Sequence, residues 1–150
     1  MNENLRKKFL RLAREDQKIR KKDKFDPLTD RTRVAKLKKI IEKYGWPTIS
    51  LVGRDGTEAA WLIAQHADFD LAFQKQCLKL LRKNLRNNEV SKHQIAYLTD
   101  RILVNSGKPQ RFGTQFNLKQ AGKFVPHPIW DRRILEKRRK LYNLPPLKEY

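Results

Sequence analysis

The sequence predicts a mainly α protein: one basic domain over residues 1–150, with about six helices and a small β hairpin near residues 110–126. Three observations carry this. Apolar residues recur at helical spacing along most of the chain. Glycine and proline punctuate it at Gly45-Trp46-Pro47 and Gly107-Lys108-Pro109, where helices must stop. Between residues 110 and 129 the pattern changes, and Gly113, Gly122, Pro126 and Pro128 are hostile to helix. A chain of this length suits one domain with one core.

Residues 3–23 read as the first helix, with Leu5, Phe9, Leu12 and Ile19 on one face. Asp16 falls on that face, with Arg20 four residues on and in reach of an ion pair. A carboxylate in an apolar stripe marks a functional or strained position, unless the stripe drifts and leaves Asp16 at its wet edge. Phe25-Asp26-Pro27-Leu28-Thr29 interrupts, and Thr29 or Asp30 is the expected cap of a second helix whose face is Val34, Leu37, Ile40 and Ile41. Residues 48–53 are expected to be extended. Arg54-Asp55-Gly56 reads as a turn, with Thr57 capping a third helix and Glu58 in its first turn.

Six apolar residues then run without a break from Ala59, through Trp61, to Ala64. A helix that is apolar all round is buried. The Gln65-His66-Ala67-Asp68 that ends it is therefore expected to be partly buried and in need of hydrogen-bond partners. A fourth helix follows to about Asn87 through Leu71, Leu78, Leu81 and Leu85, with Asp68 as its expected cap. Ser91 caps a fifth, carrying Ile95, Leu98 and Ile102 on one face and Tyr97, Arg101 and Val104 on the next. Residues 111–116 are expected to pair as a strand with Lys123-Phe124-Val125. Trp130-Asp131 opens the last helix, which ends before Leu144-Pro145-Pro146.

Lys and Arg number 35 against 16 Asp and Glu, a net charge of +19. Such a charge attracts polyanions strongly, whether RNA, DNA or an anionic membrane; a generally basic proteome is the bland alternative. The charge is spread over several helices. Arg132, Arg133, Lys137, Arg138, Arg139 and Lys140 crowd the last one and are the candidate polyanion-binding residues. Spread charge fits a folded polyanion such as structured RNA, where phosphates supply most of the affinity. Of the three tryptophans, Trp130 alone has basic neighbours in sequence, a setting in which it could stack on a base. The single cysteine, Cys77, excludes an intrachain disulfide and reads as a small buried hydrophobe. No apolar run approaches the length of a membrane span, and residues 1–8 do not read as a secretory signal. A cytoplasmic location is the expectation.

His66 and Asp68 diverge on a helix, and no metal-ligand spacing occurs, so neither a metal nor a cofactor is expected. Gly53-Arg54-Asp55-Gly56-Thr57 lacks the ending of a phosphate loop, and a tight turn explains it. His66 is the candidate general acid or base. Asp16 or Asp100 would orient it, and Arg101 with Gln115 would hold an anionic or carbonyl group. A satisfied core histidine is the alternative.

Several short motifs recur in an order that resembles an uncharacterised bacterial domain family, small and mostly helical. They are Asp16-Gln17 with Arg20, Gly45-Trp46-Pro47 with Val52-Gly53, Ala60-Trp61 with Gln65-His66-Ala67-Asp68, and Tyr97-Leu98 with Asp100-Arg101. Gln110 with Gly113-Thr114-Gln115 follows, then Arg139, Leu144-Pro145-Pro146-Leu147 and Tyr150. The resemblance implies no established activity. It singles out Gln17, Gln65, Asp68, Gln110, Thr114 and Gln115, beside the catalytic candidates His66, Asp16, Asp100 and Arg101, as the lining of a shared polar pocket for a small-molecule ligand. The large positive charge departs from the family.

Two functions are therefore expected. The first is binding of a polyanion, structured RNA or a ribonucleoprotein particle. The second is a small enzyme or ligand-binding domain with a polar pocket centred on His66, into which Asp16, Asp100 and Gln115 should converge.

Overall fold

Among the described residues, helical periodicity is realised in six α-helices. The computed structural model of the protein describes residues 1–21, 27–118 and 122–149, so the expected break at Phe25-Asp26 and the expected last two residues of the first helix, 22–23, lie outside the described residues. The chain forms two compact units, residues 1–90 and 91–150. The first holds α1 (Glu3–Lys21), α2 (Pro27–Tyr44), α3 (Ile49–Gln65) and α4 (Leu71–Leu85). The second holds α5 (Lys92–Asn105), a hairpin of β1 (Phe116–Leu118) and β2 (Phe124–Pro126), and α6 (Leu135–Leu141). No helix of the described residues is long and apolar enough to cross a membrane.

In the first unit, α1 buries Leu5, Phe9, Leu12 and Asp16 and packs along α3. Its start is tied down by Asn2, whose Oδ1 accepts from the Leu5 amide at 3.0 Å. The helix α2 begins at Pro27, which suits a first helical position because it lacks the N–H that would be orphaned there. Asp30, expected as a cap, instead lies one turn inside, buried with Arg33. Gly45, at φ +77°, ends the helix as expected.

Within the segment 48–53, expected to be extended, residues 49–52 are helical, while Thr48 keeps extended angles. Thr48 accepts from the Leu51 amide at 3.2 Å as the true N-cap. Glu89 supplies acceptors for that first turn, taking the Ile49 amide at 3.0 Å, the Ser50 amide at 2.7 Å and the Ser50 hydroxyl. Orphan amides that find acceptors make a helical turn stable where propensity alone would not. Gly53 (φ +78°, ψ +170°) kinks α3 just after this turn. Thr57, the expected cap, is buried and accepts from the Trp46 indole N–H at 3.3 Å. Beyond the kink, Ala59, Ala60, Trp61, Ile63 and Ala64 are all buried, as their unbroken apolar run requires.

The cap of α4 is Asp70, which accepts from the Phe73 amide at 3.0 Å and pairs with Lys38 at 2.6 Å. Asp68, expected in that role, lies exposed in the turn before it. Phe73, Cys77 and Leu81 form the buried face. Burial pushes the Cys77 thiol far above its ordinary value, so it behaves as packing.

In the second unit, Ser91 and Gln94 form a capping box at α5. The hairpin is antiparallel, with Phe116 opposite Pro126 and Leu118 opposite Phe124. Its first strand starts at Phe116 rather than at residue 111, because residues 111–114 bend around the Asp100 side chain. The last helix also starts late. Asp131 takes a left-handed φ of +47°, a short 3-10 turn spans Arg132–Ile134, and α6 begins at Leu135. Ala96, Phe112 and Leu144 make a small core, closed by Tyr97 and by Tyr142, whose ring centroid lies 4.7 Å from that of Phe112.

The α3 kink is a test of these conformations. Gly53→Ala is expected to lower stability by about 2 to 3 kcal/mol, because side chains other than hydrogen are strained in that backbone region. Gly45→Ala, whose new Cβ would meet nothing within 4 Å, should lose about 1 kcal/mol. Urea midpoints of the two variants check the difference.

Candidate functional site

The predicted polar residues come together in two groups, one in each unit. In the first unit the sequence places Asp16 on the apolar face of α1, and the structure buries it to 1% exposure. A buried carboxylate needs donors. Three elements provide them. His66, at the end of α3, brings Nδ1 to 2.8 Å from Asp16 Oδ2. Arg20, one turn along α1, brings Nε to 3.2 Å from Oδ1. Arg33 of α2 lies 3.4 Å from the same oxygen. Asp30 completes the group, bonded by Arg20 at 2.8 Å and by Arg33 at 2.7 Å. Two carboxylates thus face two guanidinium groups and an imidazole.

The imidazole stands at a branch. Arg20 Nε is 3.0 Å from His66 Nδ1 as well as near Asp16. With a proton on Nδ1, His66 donates to Asp16 and Arg20 donates to the other carboxylate oxygen. With Nδ1 bare, it accepts from Arg20. Nε2 makes no hydrogen bond among the described residues, and the side chain is 16% exposed. Burial pushes the Asp16 carboxyl up, but the bond and charge of His66, with the charges of Arg20 and Arg33, outweigh it and hold the group below the usual carboxylate range.

Gln17, one residue on, lies exposed, and its amide nitrogen donates to Asp16 Oδ2 at 3.4 Å. Gln65 is buried, and its backbone carbonyl accepts from the Gln74 amide at 3.2 Å. The same Gln74 nitrogen is 3.4 Å from Asp68 Oδ1. Asp30, Arg33 and Gln74 were not among the expected site residues. A signal for the first two exists: Asp30 precedes Val34 by four residues and Arg33 precedes Leu37 by four, so both break an apolar stripe as Asp16 does.

In the second unit Asp100 is fully buried and gathers a loop. Its Oδ1 accepts from the Arg111 amide at 2.7 Å, and its Oδ2 from the Thr114 amide at 3.0 Å and the Thr114 hydroxyl at 2.8 Å. The Phe112 amide reaches both oxygens. Burial is the dominant influence and raises the Asp100 carboxyl above its ordinary value despite these bonds. Gln110 accepts from the Gln115 amide and donates to the carbonyls of Gln115 and His127. Gln115 donates to Thr114 at 3.1 Å and accepts from Arg101 at 3.0 Å. The Gly-Thr-Gln motif is held closed by its own side chains, and Gly113 (φ +70°) permits the bend, since an added Cβ would come within 3.3 Å of Ile129.

The basic residues of the last helix divide. Arg132, Arg133, Lys137 and Lys140 are exposed, and Arg138 is half-buried. Arg139 is fully buried, donating to the Pro145 carbonyl at 2.8 Å and the Phe112 carbonyl at 2.6 Å. Its charge is enclosed, so it presents nothing to an external polyanion. Trp130 is 50% exposed, with the guanidinium carbons of Arg111 and Arg138 at 5.0 and 5.4 Å from its ring centroid.

The charge network of the first unit makes stability depend on pH with a defined sign. A depressed carboxyl contributes above its unfolded value of about 4 and loses that contribution as pH falls through the folded value. The raised Asp100 carboxyl has the opposite sign. Asp16→Asn is expected to lower stability by about 3 kcal/mol at neutral pH, because Arg33 stays buried with one carboxylate fewer. The deficit should shrink as pH falls below about 4, where the unfolded parent takes up a proton at Asp16 that the folded protein resists until lower pH. Urea unfolding of both proteins across this range measures it.

No curated protein and no solved structure matches the chain. The model of a family of unknown function, DUF6624, matches residues 25–150. The matched span includes Asp30, Arg33, His66, Asp100 and Trp130, and leaves α1 with Asp16 and Arg20 outside it. A match over most of the sequence means that the chain belongs to DUF6624, a family of unknown function.

Proposed function

We propose that the protein binds a polyanion, structured RNA or a ribonucleoprotein particle, through the face around Trp130. The observation that carries this is the half-exposed indole with a guanidinium on either side of it in sequence, each within cation–π distance. Arg138 is locked in place, its Nε donating to the Arg111 carbonyl at 2.9 Å and its Nη2 to the Trp130 and Asp131 carbonyls. An exposed aromatic held rigid among cations is a platform for an unstacked base. Arg132, Lys137 and Lys140 are exposed and make no ion pair among the described residues, which leaves them for phosphates. A cytoplasmic location follows from this reading.

The test uses an RNA hairpin with an unpaired loop. Affinity should fall steeply between about 50 and 200 mM salt. Trp130→Ala should weaken hairpin binding about tenfold, a stacking contribution of roughly 1 to 3 kcal/mol, and leave a fully paired duplex nearly unaffected. Lys137→Glu with Lys140→Glu should weaken both. Salt-insensitive binding, or variants that bind like the parent, would sink the idea.

One observation favours a second reading, general acid–base chemistry at His66. A buried carboxylate holds Nδ1, while Nε2 is left without a hydrogen bond among the described residues on a partly exposed ring. His66→Gln separates this from a structural cross-tie. A tie predicts a fall in Tm comparable with that of Asp16→Asn. An unchanged or raised Tm supports the chemical reading, since functional groups are commonly held at the expense of stability.

A further inference from the structure

Where α1 lies along α3 a groove of about 670 Å³ remains open. Its floor is apolar, built from Leu10, Ala13, Ala59 and Leu62, and its α1 rim carries Arg14, Lys18 and Lys21. These three cations stand at i, i+4 and i+7, on one line of the helix. All three are exposed and make no hydrogen bond or ion pair among the described residues. Lys18 and Lys21 belong to the last turn of α1, where cations offset the helix dipole. Arg14 lies a turn earlier and has no such role. The opposite wall carries Asp55, already paired with Arg6, and Glu58. The groove therefore carries three cations along one side, against the already paired Asp55 and Glu58, which also has a partner, on the other.

An apolar channel with unanswered cations along one edge is complementary to a molecule with an apolar body and one anionic end. The volume lies in the range of small-molecule clefts, about 300 to 1,000 Å³. The α1 wall, from Leu10 to Lys21, is about 16 Å long at 1.5 Å per residue, the form of a single extended chain rather than of a globular ligand. We propose that this groove binds a single-chain amphiphile with an anionic carboxylate or phosphate head. The chain lies on Leu10, Ala13, Ala59 and Leu62, and the head meets Arg14, Lys18 and Lys21. This site lies in the first unit and does not rest on the RNA reading.

Isothermal titration calorimetry with dodecyl phosphate, below its micelle concentration, tests it. Saturable single-site binding is expected. Dodecyltrimethylammonium, with the same chain and a cationic head, should bind at least about tenfold more weakly, and so should inorganic phosphate. Ala13→Trp fills the groove and should abolish binding, and Leu62→Glu, which puts a like charge among the apolar contacts, should do the same. Arg14→Glu with Lys18→Glu should weaken dodecyl phosphate about tenfold or more. Far-ultraviolet circular dichroism and a urea midpoint close to the parent's in Ala13→Trp show that the variant is folded. Three outcomes overturn the proposal: equal binding of the two head groups, full affinity in folded Ala13→Trp or Leu62→Glu, or capture only on phosphatidylglycerol vesicles with parent and groove-filled variants alike. The last would assign the effect to surface charge on a membrane.

Discussion

A carboxylate removed from water must be answered by donors, and each unit is arranged around one that is. Asp16 is answered by charge, with His66, Arg20 and Arg33 drawn from three helices. Asp100 is answered by dipoles, with the amides of residues 111, 112 and 114 and one hydroxyl. The difference is physical. Full charges overcome the desolvation of Asp16, whereas neutral donors do not overcome that of Asp100, so the two shift in opposite directions. A buried charge network adds little net stability, because each ion loses several kcal/mol of hydration. What it adds is position. Arg33 and His66 must meet Asp16, and that fixes how α2 and the end of α3 stand against α1.

Much of this is legible in the primary structure. The unbroken apolar run of α3 implies its burial, and the Gln-His end implies partners. Asp16 stands out as a broken stripe. The residues that escaped are those whose local signal has a cheaper explanation. Asp30 resembles a helix cap, but α2 already starts at Pro27, which places Asp30 inside its first turn. Residues 48–53 are rich in β-formers, yet Glu89, far along the chain, supplies the acceptors that hold residues 49–52 in a helical turn. Asp68 and Asp70 are equally good caps by type, and the turn between Ala67 and Asp70 decides between them. Long-range donors and acceptors have no periodicity, so spacing arguments pass over them.

The run Lys137-Arg138-Arg139-Lys140 shows the limit of charge counting. On a helix, successive residues point about 100° apart, since 3.6 residues make a turn. Four consecutive cations cannot share a face. Lys137 and Lys140 point to solvent, while Arg139 points inward and binds two carbonyls. An arginine in that position is a cross-link between the loop at Phe112 and the chain at Pro145. Net charge overstates what the surface of this helix offers a partner.

The bond of Trp46 to Thr57 and the bond of Asp16 to His66 are attached to the same helix, at its middle and at its end. They lie about two and a half turns apart, and both are directional. The stretch between them therefore behaves as a spacer of set length and set rotation. One residue gained or lost there would swing the imidazole by more than a quarter of a circle away from its carboxylate, even if every apolar contact were rebuilt. Change of residue type can be absorbed along this helix far more easily than change of residue number, so natural variation in length should fall outside it.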